Sequence, residues 1–261
     1  MDIEFFKYHG TGNDFILIDN RNLDFPVKQV IIKNLCDRRF GIGADGLILL
    51  QEHPDYDFDM RYFNSDGNES SMCGNGGRCV VAFAERLGLI KDQTTFKAFD
   101  GLHKALINKD QIELSMTDVS DINRIDDIYL LDTGSPQAVI FVTDLENTDV
   151  LNIGRRIRYN KDISKDGVNV NFVEITFDFN INIRTYERGV EAETWSCGTG
   201  SVASAIISYI QNKVLSSPSS INVNVKGGQL KVNFESADRK LFTNIKLSGP
   251  AAFVYSGKIS V

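Results

Sequence analysis

Apolar and polar positions alternate at the start of the chain. Ile3-Glu-Phe5-Phe-Lys-Tyr8 and Phe15-Ile-Leu-Ile18 flank His9-Gly-Thr-Gly-Asn-Asp14, a pattern that predicts a β-hairpin. Over residues 27–37 the apolar positions recur at helical spacing. Leu47–Gln51 and Phe58–Phe63 read as strands leading to a glycine-rich turn at Cys73, and a helix over 75–88 ends at Gly88. Strands follow near 95–99, 103–108 and 111–116. The acidic stretch Thr117–Asp127 is the best candidate for a linker, read as a solvated connection. The second half then repeats the order. Strands near 128–133 and 137–142, a helix near 149–158 and strands near 168–177 and 181–187 precede a second glycine-rich turn at Cys197 and a helix near 199–212. Strands near 220–226, 229–235 and 241–248 close the series. Many strands with one central helix per half predict two α+β domains.

Composition changes this picture little. Hydrophobic residues make up 42% and charged ones 24% of 261 residues, an ordinary globular balance. The net charge of −7 argues against nucleic-acid binding, which needs clustered positive charge. No stretch approaches the ~20 apolar residues of a membrane span, and the start Met-Asp-Ile-Glu is not an export signal. The expectation is a soluble cytoplasmic protein with no membrane partner. The four cysteines (Cys36, Cys73, Cys79, Cys197) are too few to staple such a chain and are expected as reduced thiols. None forms a CxxC pair, and His9, His53 and His103 add no zinc-ligand spacing, so no metal is expected. Cys36 lies on an apolar helical stripe and Cys79 six residues into a helix, so both are expected in the core.

Cys73 and Cys197 differ from these. Cys73-Gly-Asn-Gly-Gly77 and Cys197-Gly-Thr-Gly-Ser201 each precede a small-residue, apolar-periodic run, which puts a thiol on a glycine-rich turn at a helix N-terminus. Glycine lets the backbone approach a ligand, and the amides of the first turn point outward at an anion. The helix end also favours the thiolate, by ~0.3–1 kcal/mol in exposed sites. Cys-Gly-Xaa-Gly occurs twice, about half the chain apart, which suggests a duplicated unit with one cysteine per copy.

Two matched thiols suit one task well. Inverting a stereocentre needs a base on one face of a carbon and an acid on the other, with roles exchanged in reverse. Helix N-termini could stabilise the enolate-like charge on a substrate carboxylate. Neither a Schiff-base lysine context nor a metal motif is evident, so the residues read as a cofactor-independent racemase or epimerase. A thiol–disulfide switch or an amino-acid-binding module without turnover remains the alternative from another class.

The chain resembles the diaminopimelate epimerase family. The resemblance is carried, in order over nearly the whole chain, by His9-Gly-Thr-Gly-Asn-Asp-Phe15, Gly41-Ile-Gly-Ala-Asp-Gly46, Phe63-Asn-Ser-Asp-Gly-Asn-Glu69, Met72-Cys-Gly-Asn-Gly-Gly-Arg78, Asn169-Val-Asn-Phe172, Tyr186-Glu-Arg-Gly189, Cys197-Gly-Thr-Gly200 and Gly249-Pro-Ala-Ala-Phe-Val-Tyr255. It implies two pseudo-symmetric domains, each a β-rich barrel around a central helix, with the active site in the cleft between them. The expected domains are 1–117 plus 250–261, carrying Cys73, and 118–249, carrying Cys197, with the C-terminal strand returning to the first. The implied reaction is interconversion of LL- and meso-2,6-diaminopimelate, for lysine and peptidoglycan precursors, with Cys73 and Cys197 as the acid/base pair and no cofactor. Substrate contacts implied position by position are Asn13, Asn64, Gly74, Asn75, Asn169, Glu187, Arg188, Gly198 and Thr199. The amides of Gly74, Asn75, Gly198 and Thr199 would hold the reacting carboxylate, and Arg188 the distal one. Glu187 would also help poise a thiol. A tyrosine matching Tyr255 lies at a homodimer contact in the family.

Each position also has a plainer reading. Glu187 and Arg188 suit a surface ion pair, Asn13 and Asn64 suit turns, His9 a structural hydrogen bond, and Trp195 packing or a wall beside the thiol. Two positions depart from the family. Where many members carry a histidine that poises a thiol, this chain has Ser135-Pro136-Gln137, and Gln137 cannot titrate. A polar contact that is glutamine in some relatives is Gly46 here. The nearest rival within the superfamily is a proline or hydroxyproline racemase; Arg188 and the asparagines favour a substrate with a charged distal group.

Overall fold

The structure, a computed structural model, describes residues 1–70, 72–176, 180–211 and 220–261. In chain order, the first stretch holds β1 (Asp2–Gly10), β2 (Asn13–Asp19), α1 (Gln29–Cys36), β3 (Gly46–Gln51), β4 (Phe58–Asn64), β5 (Glu69–Ser70), α2 (Gly74–Arg86), β6 (Gln93–Ala98), β7 (Gly101–Asn108) and β8 (Gln111–Ser115). The second holds β9 (Ile122–Ile125), β10 (Ile128–Asp132), β11 (Pro136–Phe141), α3 (Val150–Arg158), β12 (Asn169–Ile175), β13 (Asn180–Glu187), β14 (Ala192–Thr194), α4 (Gly198–Ile210), β15 (Ile221–Val225), β16 (Gly228–Glu235) and β17 (Thr243–Gly249). A last strand, β18 (Ala252–Ser260), ends the chain. Two compact units result: Met1–Leu114 with Gly249–Val261, and Ser115–Ser248.

In the first unit the strands pair in the order β18-β1-β2-β3-β4-β6-β7-β8, with β5 beside β4. The β1–β2 hairpin turns at Thr11 and Gly12, whose φ angles of 49° and 87° suit the tight turns that match strand twist. Pairing is parallel where a helix makes the crossover, at β2–β3 through α1 and at β4–β6 through α2. Ile16, Ile18, Leu47 and Leu49 pack with Ile32, Leu35 and Cys36 of α1. On the opposite face, Phe15, Ile48 and Met60 lie against Gly76 of α2. Helices on both faces explain why β2 and β3 read as continuous apolar runs.

The second unit repeats this plan as β9-β10-β11-β12-β13-β15-β16-β17, with β14 beside β13 and parallel pairs β11–β12 and β13–β15. Ala138, Val170, Phe172 and Tyr186 pack with α3. Val139, Val173, Ile181 and Ile183 pack with Val202, Ala203, Ala205, Ile206 and Ile207 of α4. The duplication therefore extends to strand direction, crossover and helix placement.

Three expectations change. Among the described residues the end strands of each unit do not pair with each other, so the expected barrels are open sheets around a helix. The linker expected at Thr117–Asp127 contains β9, paired antiparallel with β10, and its Val119 is buried and bridges to Phe242. Each face of this edge strand mixes one isoleucine with one polar residue, so no alternation marked it in the sequence. Trp195 is 54% exposed, with the Lys226 ammonium 5.1 Å from its ring centre, so it is not a core packing residue. The last residues of the strand expected to 177 and of the helix expected to 212 lie outside the described residues.

Candidate active site

Cys73 and Cys197 occupy the same local structure. Each is the extended N-cap of a 13-residue helix, with φ and ψ of −99° and 137° at Cys73 and −122° and 112° at Cys197. Each sulfur accepts the backbone N–H three residues on, from Gly76 at 3.5 Å and from Gly200 at 3.4 Å. A sulfur thus stands where serine, threonine or aspartate usually caps a helix, in the positive field of the first turn. The other two cysteines behave as expected of core residues. Burial pushes the Cys36 thiol up to about 12 and raises that of Cys79 as well, which leaves both as neutral thiols near pH 7.

Around Cys73 the support is charged at its ends. Asn13 Nδ2 donates to Asp45 Oδ2 at 2.7 Å, and Asn13 Oδ1 accepts from Asn75 Nδ2 at 3.1 Å and lies 3.6 Å from Cys73 Sγ. Asn13 is therefore a strand residue aimed at the thiol, not a turn filler. Arg78, fully buried, donates to Asn75 Oδ1 at 2.7 Å, to Gly74 O at 3.2 Å and to Pro250 O at 3.4 Å. Asp45 shares Arg38 with Asp14, which also pairs with Lys7 at 2.7 Å. Burial works against the Asp14 carboxylate, but hydrogen bonds from Arg38 and Lys7 outweigh it and hold Asp14 at about 2.

Around Cys197 the support is neutral. Thr199 Oγ1 lies 3.5 Å from the sulfur and also meets Ser135 Oγ and Gln137 Nε2, each at 3.0 Å. Gln137 Nε2 reaches Ser135 Oγ at 2.8 Å, and its Oε1 accepts from Asn171 Nδ2 at 2.9 Å. Asn171 is itself bonded to Ala138 O and Thr185 Oγ1. Asn169 joins Ser135 Oγ at 3.3 Å and accepts the Arg188 N–H at 2.8 Å. Arg188 donates through Nη1 to Gly167 O at 3.4 Å, and it and Glu187 are half-buried at the end of β13.

Strand register relates the two sets. Phe15 pairs with Gly46 and Gly46 with Asn64. Gln137 pairs with Asn169, one step beyond the Val170–Tyr186 pair and so level with Glu187. Phe15 thus matches Gln137, Gly46 matches Asn169, and Asn64 matches Glu187. Asn64 is exposed, and its backbone closes the Asn-Ser-Asp-Gly turn through Asn68 and Gly67. At Gly46 a Cβ would lie 2.5 Å from the Tyr62 ring, so that ring excludes any longer side chain. His9 accepts the Gly12 N–H within the hairpin, the structural role expected of it.

The structure joins Asn13, Gly74 and Asn75 to Cys73, and Thr199, Gln137, Asn169 and Arg188 to the Cys197 side, whereas sequence reasoning named these residues without dividing them between the thiols. Sequence reasoning gave no role to Arg78, Asp45, Ser135, Asn171 or Thr185. The available signals were a charged residue five positions into an apolar helix and polar residues alternating along strands that are otherwise core. Among the described residues no three His, Cys, Asp or Glu side chains are grouped to hold a metal, and no helix is long and apolar enough to cross a membrane.

A family model described as diaminopimelate epimerase matches residues 5–121 and 129–254. A Flavobacterium psychrophilum protein named diaminopimelate epimerase is 53% identical, with 98% of this chain and 100% of that one covered. A Chlorobaculum tepidum protein of the same name is 43% identical, over 97% and 99%. Among solved structures, a Bacillus anthracis phenazine biosynthesis protein of the PhzF family aligns with a TM-score of 0.79 at 16% identity, covering 100% of both chains. A hydroxyproline epimerase from Agrobacterium vitis aligns with a TM-score of 0.74 at 14% identity, covering 100% of this chain and 93% of that one. At such low identities the structural matches speak to the fold alone.

Proposed function

The chain belongs to the diaminopimelate epimerase family, and from that membership we propose that it interconverts LL- and meso-2,6-diaminopimelate without metal or pyridoxal phosphate. One cysteine thiolate takes the α-proton, forming an S–H bond as the C–H bond breaks, and the electron pair spreads into the carboxylate as an enolate-like anion. The other cysteine delivers its proton to the opposite face and becomes the thiolate, so one C–H and one S–H bond form as one of each breaks. The amides of Gly74, Asn75, Gly198 and Thr199 hold the reacting carboxylate where negative charge grows. Arg188 binds the distal carboxylate, while Asn13, Asn64, Asn169 and Glu187 read the distal amino-acid centre. Glu187 and Gln137 poise the thiols.

The observation that carries this reading is the paired cap: in each half a cysteine sulfur accepts the amide three residues into its helix. Incubation with LL-diaminopimelate in heavy water is expected to place deuterium at one α-carbon as the meso isomer appears, while L-proline remains unlabelled. Cys73→Ala and Cys197→Ala should each lower inversion by about 10²–10⁴-fold. Inversion at the parental rate in either variant sinks the two-base mechanism, and labelled proline redirects the substrate assignment.

The reading extends to a cytoplasmic homodimer with Tyr255 near its contact. In support, β18 presents Phe253, Val254 and Tyr255 as neighbouring exposed apolar residues, with Tyr255 edge-on to Phe5 at 5.9 Å. Tyr255→Asp should lower the sedimentation mass toward that of one chain; an unchanged mass argues against this contact.

A further inference from the structure

We infer that Glu191 is a positioning residue for Arg188: its carboxylate clasps the turn that carries Arg188 and, through Arg158, steadies the carbonyl on which the Arg188 guanidinium rests. This deepens the proposed function and rests on its assignment of Arg188 to the distal carboxylate of the substrate.

The turn departs from the duplicated plan. In the first unit Phe63 pairs with Glu69 around residues 64–68, whereas the matching Tyr186 pairs with Glu193 around residues 187–192, one residue more. The longer turn closes with the Glu191 N–H on Glu187 O at 2.8 Å, and it contains two left-handed residues, Gly189 at φ 92° and Glu191 at φ 57°. Glycine adopts that conformation freely, but in glutamate it crowds Cβ against the carbonyl oxygen that follows. A strained residue persists only where its surroundings hold it, and here its own side chain does the holding.

Both oxygens of the Glu191 carboxylate are engaged. Oε1 accepts the Gly189 N–H at 3.0 Å and pairs with Arg158, 3.2 Å from Nε and 3.1 Å from Nη2. Oε2 accepts the Tyr186 hydroxyl at 3.2 Å. Burial works against this carboxylate, but the Gly189 N–H, the Tyr159 hydroxyl, Arg158 and the Tyr186 hydroxyl together hold its pKa below the ordinary value, so it is ionised at neutral pH.

Two routes lead from the clasp to Arg188. Along the backbone, the Arg188 N–H is held by Asn169 Oδ1 at 2.8 Å and the next N–H, that of Gly189, by Glu191. Through space, Arg158 donates to Asp166 O at 3.3 Å and lies against Gly167, where a Cβ would fall 1.8 Å from Nη1. Gly167 O in turn accepts Arg188 Nη1 at 3.4 Å. Glu191 thus fixes Arg188 at its main chain and at its guanidinium. An arginine meets a carboxylate best as a planar fork, and a fork set about an ångström away loses that geometry. The distal carboxylate does not change as the α-carbon inverts, so its loosened hold weakens ground state and transition state alike and registers in KM.

The test is steady-state inversion of LL-diaminopimelate, with thermal unfolding of each variant measured beside it. Glu191→Gly accepts the left-handed backbone but removes the clasp; it should raise KM about tenfold and keep kcat within about threefold. Glu191→Gln can make the same contacts to Gly189, Arg158 and Tyr186 and should stay within about threefold of the parental KM. The inference is overturned by a folded Glu191→Gly whose KM rises less than about threefold, by a fall in kcat that exceeds the rise in KM, or by a KM as high in Glu191→Gln as in Glu191→Gly. Should Glu191→Gly fail to fold, Arg158→Lys, which has no fork to span Glu191 and Asp166 O, carries the same expected rise in KM, and a parental KM there overturns the inference. The parent reading fails differently: the parental protein would then not invert diaminopimelate at all, and the role of Glu191 would fall with it.

Discussion

The two halves of the chain carry one helix cap on two different supports. Five residues past each thiol stands Arg78 in the first helix and Val202 in the second, both fully buried. On the strand beneath, the matched positions are Phe15 and Gln137, again both buried. At these two matched positions the polar side chain therefore stands on the helix in one half and on the strand in the other. Duplication has kept what places the sulfur and exchanged what surrounds it. Reversible proton transfer asks for two sulfurs of similar kind; identical surroundings are not part of that demand.

Making the first half resemble the second is the most severe way to break this comparison. Arg78→Val removes the donor for Asn75 Oδ1, Gly74 O and Pro250 O and should destabilise the protein by about 3 kcal/mol or more in denaturant titration. A loss below ~1 kcal/mol would mean that water takes over the guanidinium's role.

The next test compares one glycine position in both copies. At Gly200 a Cβ would lie 2.2 Å from Asn171 Oδ1, whereas at Gly76 it would first meet Ile48 Cδ1 at 3.2 Å. Gly200→Ala should cost about 2 kcal/mol in thermal unfolding and lower turnover at least tenfold, and Gly76→Ala should change stability by less than about 1 kcal/mol. Equal effects would show that the neutral network yields as readily as an aliphatic tip.

Acid separates the supports more gently. Asp14 falls from its ordinary 3.8 to about 2 in the folded state, so its stabilising contribution is present above ~pH 4 and is lost as the pH falls through about 2. Asp14→Asn should flatten that acid-dependent loss by roughly 1–2 kcal/mol, since half of its pairing runs through the exposed Arg38. An acid profile unchanged by Asp14→Asn would exclude this pairing as its source. The side chains that support Cys197 from behind, Thr199, Ser135, Gln137, Asn169 and Asn171, include no carboxylate, so Gln137→Asn should leave the acid limb alone.

The smallest effect belongs to Gln137→His, which places a group that titrates near neutrality beside Thr199. It should raise turnover a few-fold or move the pH optimum of turnover down by about half a pH unit; an unchanged pH–rate profile would show that Gln137 does not limit thiol activation.

Some of this architecture could be read from the residues and some could not, for physical reasons. Alternation around His9-Gly-Thr-Gly marked the first hairpin, and the apolar runs in β2 and β3 marked strands covered on both faces. The two cysteine caps were legible because glycines one and three residues after each cysteine leave few other uses for such a turn. Strand β9 was not, since its four residues are exposed or half-buried and carry no apolar face. Nor was β14, three half-buried residues long. Arg78 was hidden by its charge, which normally signals a solvated helix face, and burial pairs it with carbonyl oxygens without any opposite charge nearby in sequence. Asn171 and Ser135 carry no motif of their own; only strand pairing brings them beside Thr199.

The closing strand has a consequence for how the molecule is made. β18 pairs with β1 from Asp2 to His9, and the Met1 amino group meets the carbonyl of Val261 at 3.0 Å. During synthesis the opening hairpin leaves the ribosome without its neighbour and waits until β18 has been made, while Ser115–Ser248 emerges as one uninterrupted stretch. The later-encoded half can therefore mature first, reversing the usual vectorial order, and a chain interrupted before β18 would leave the first half with a bare β1 edge open to aggregation.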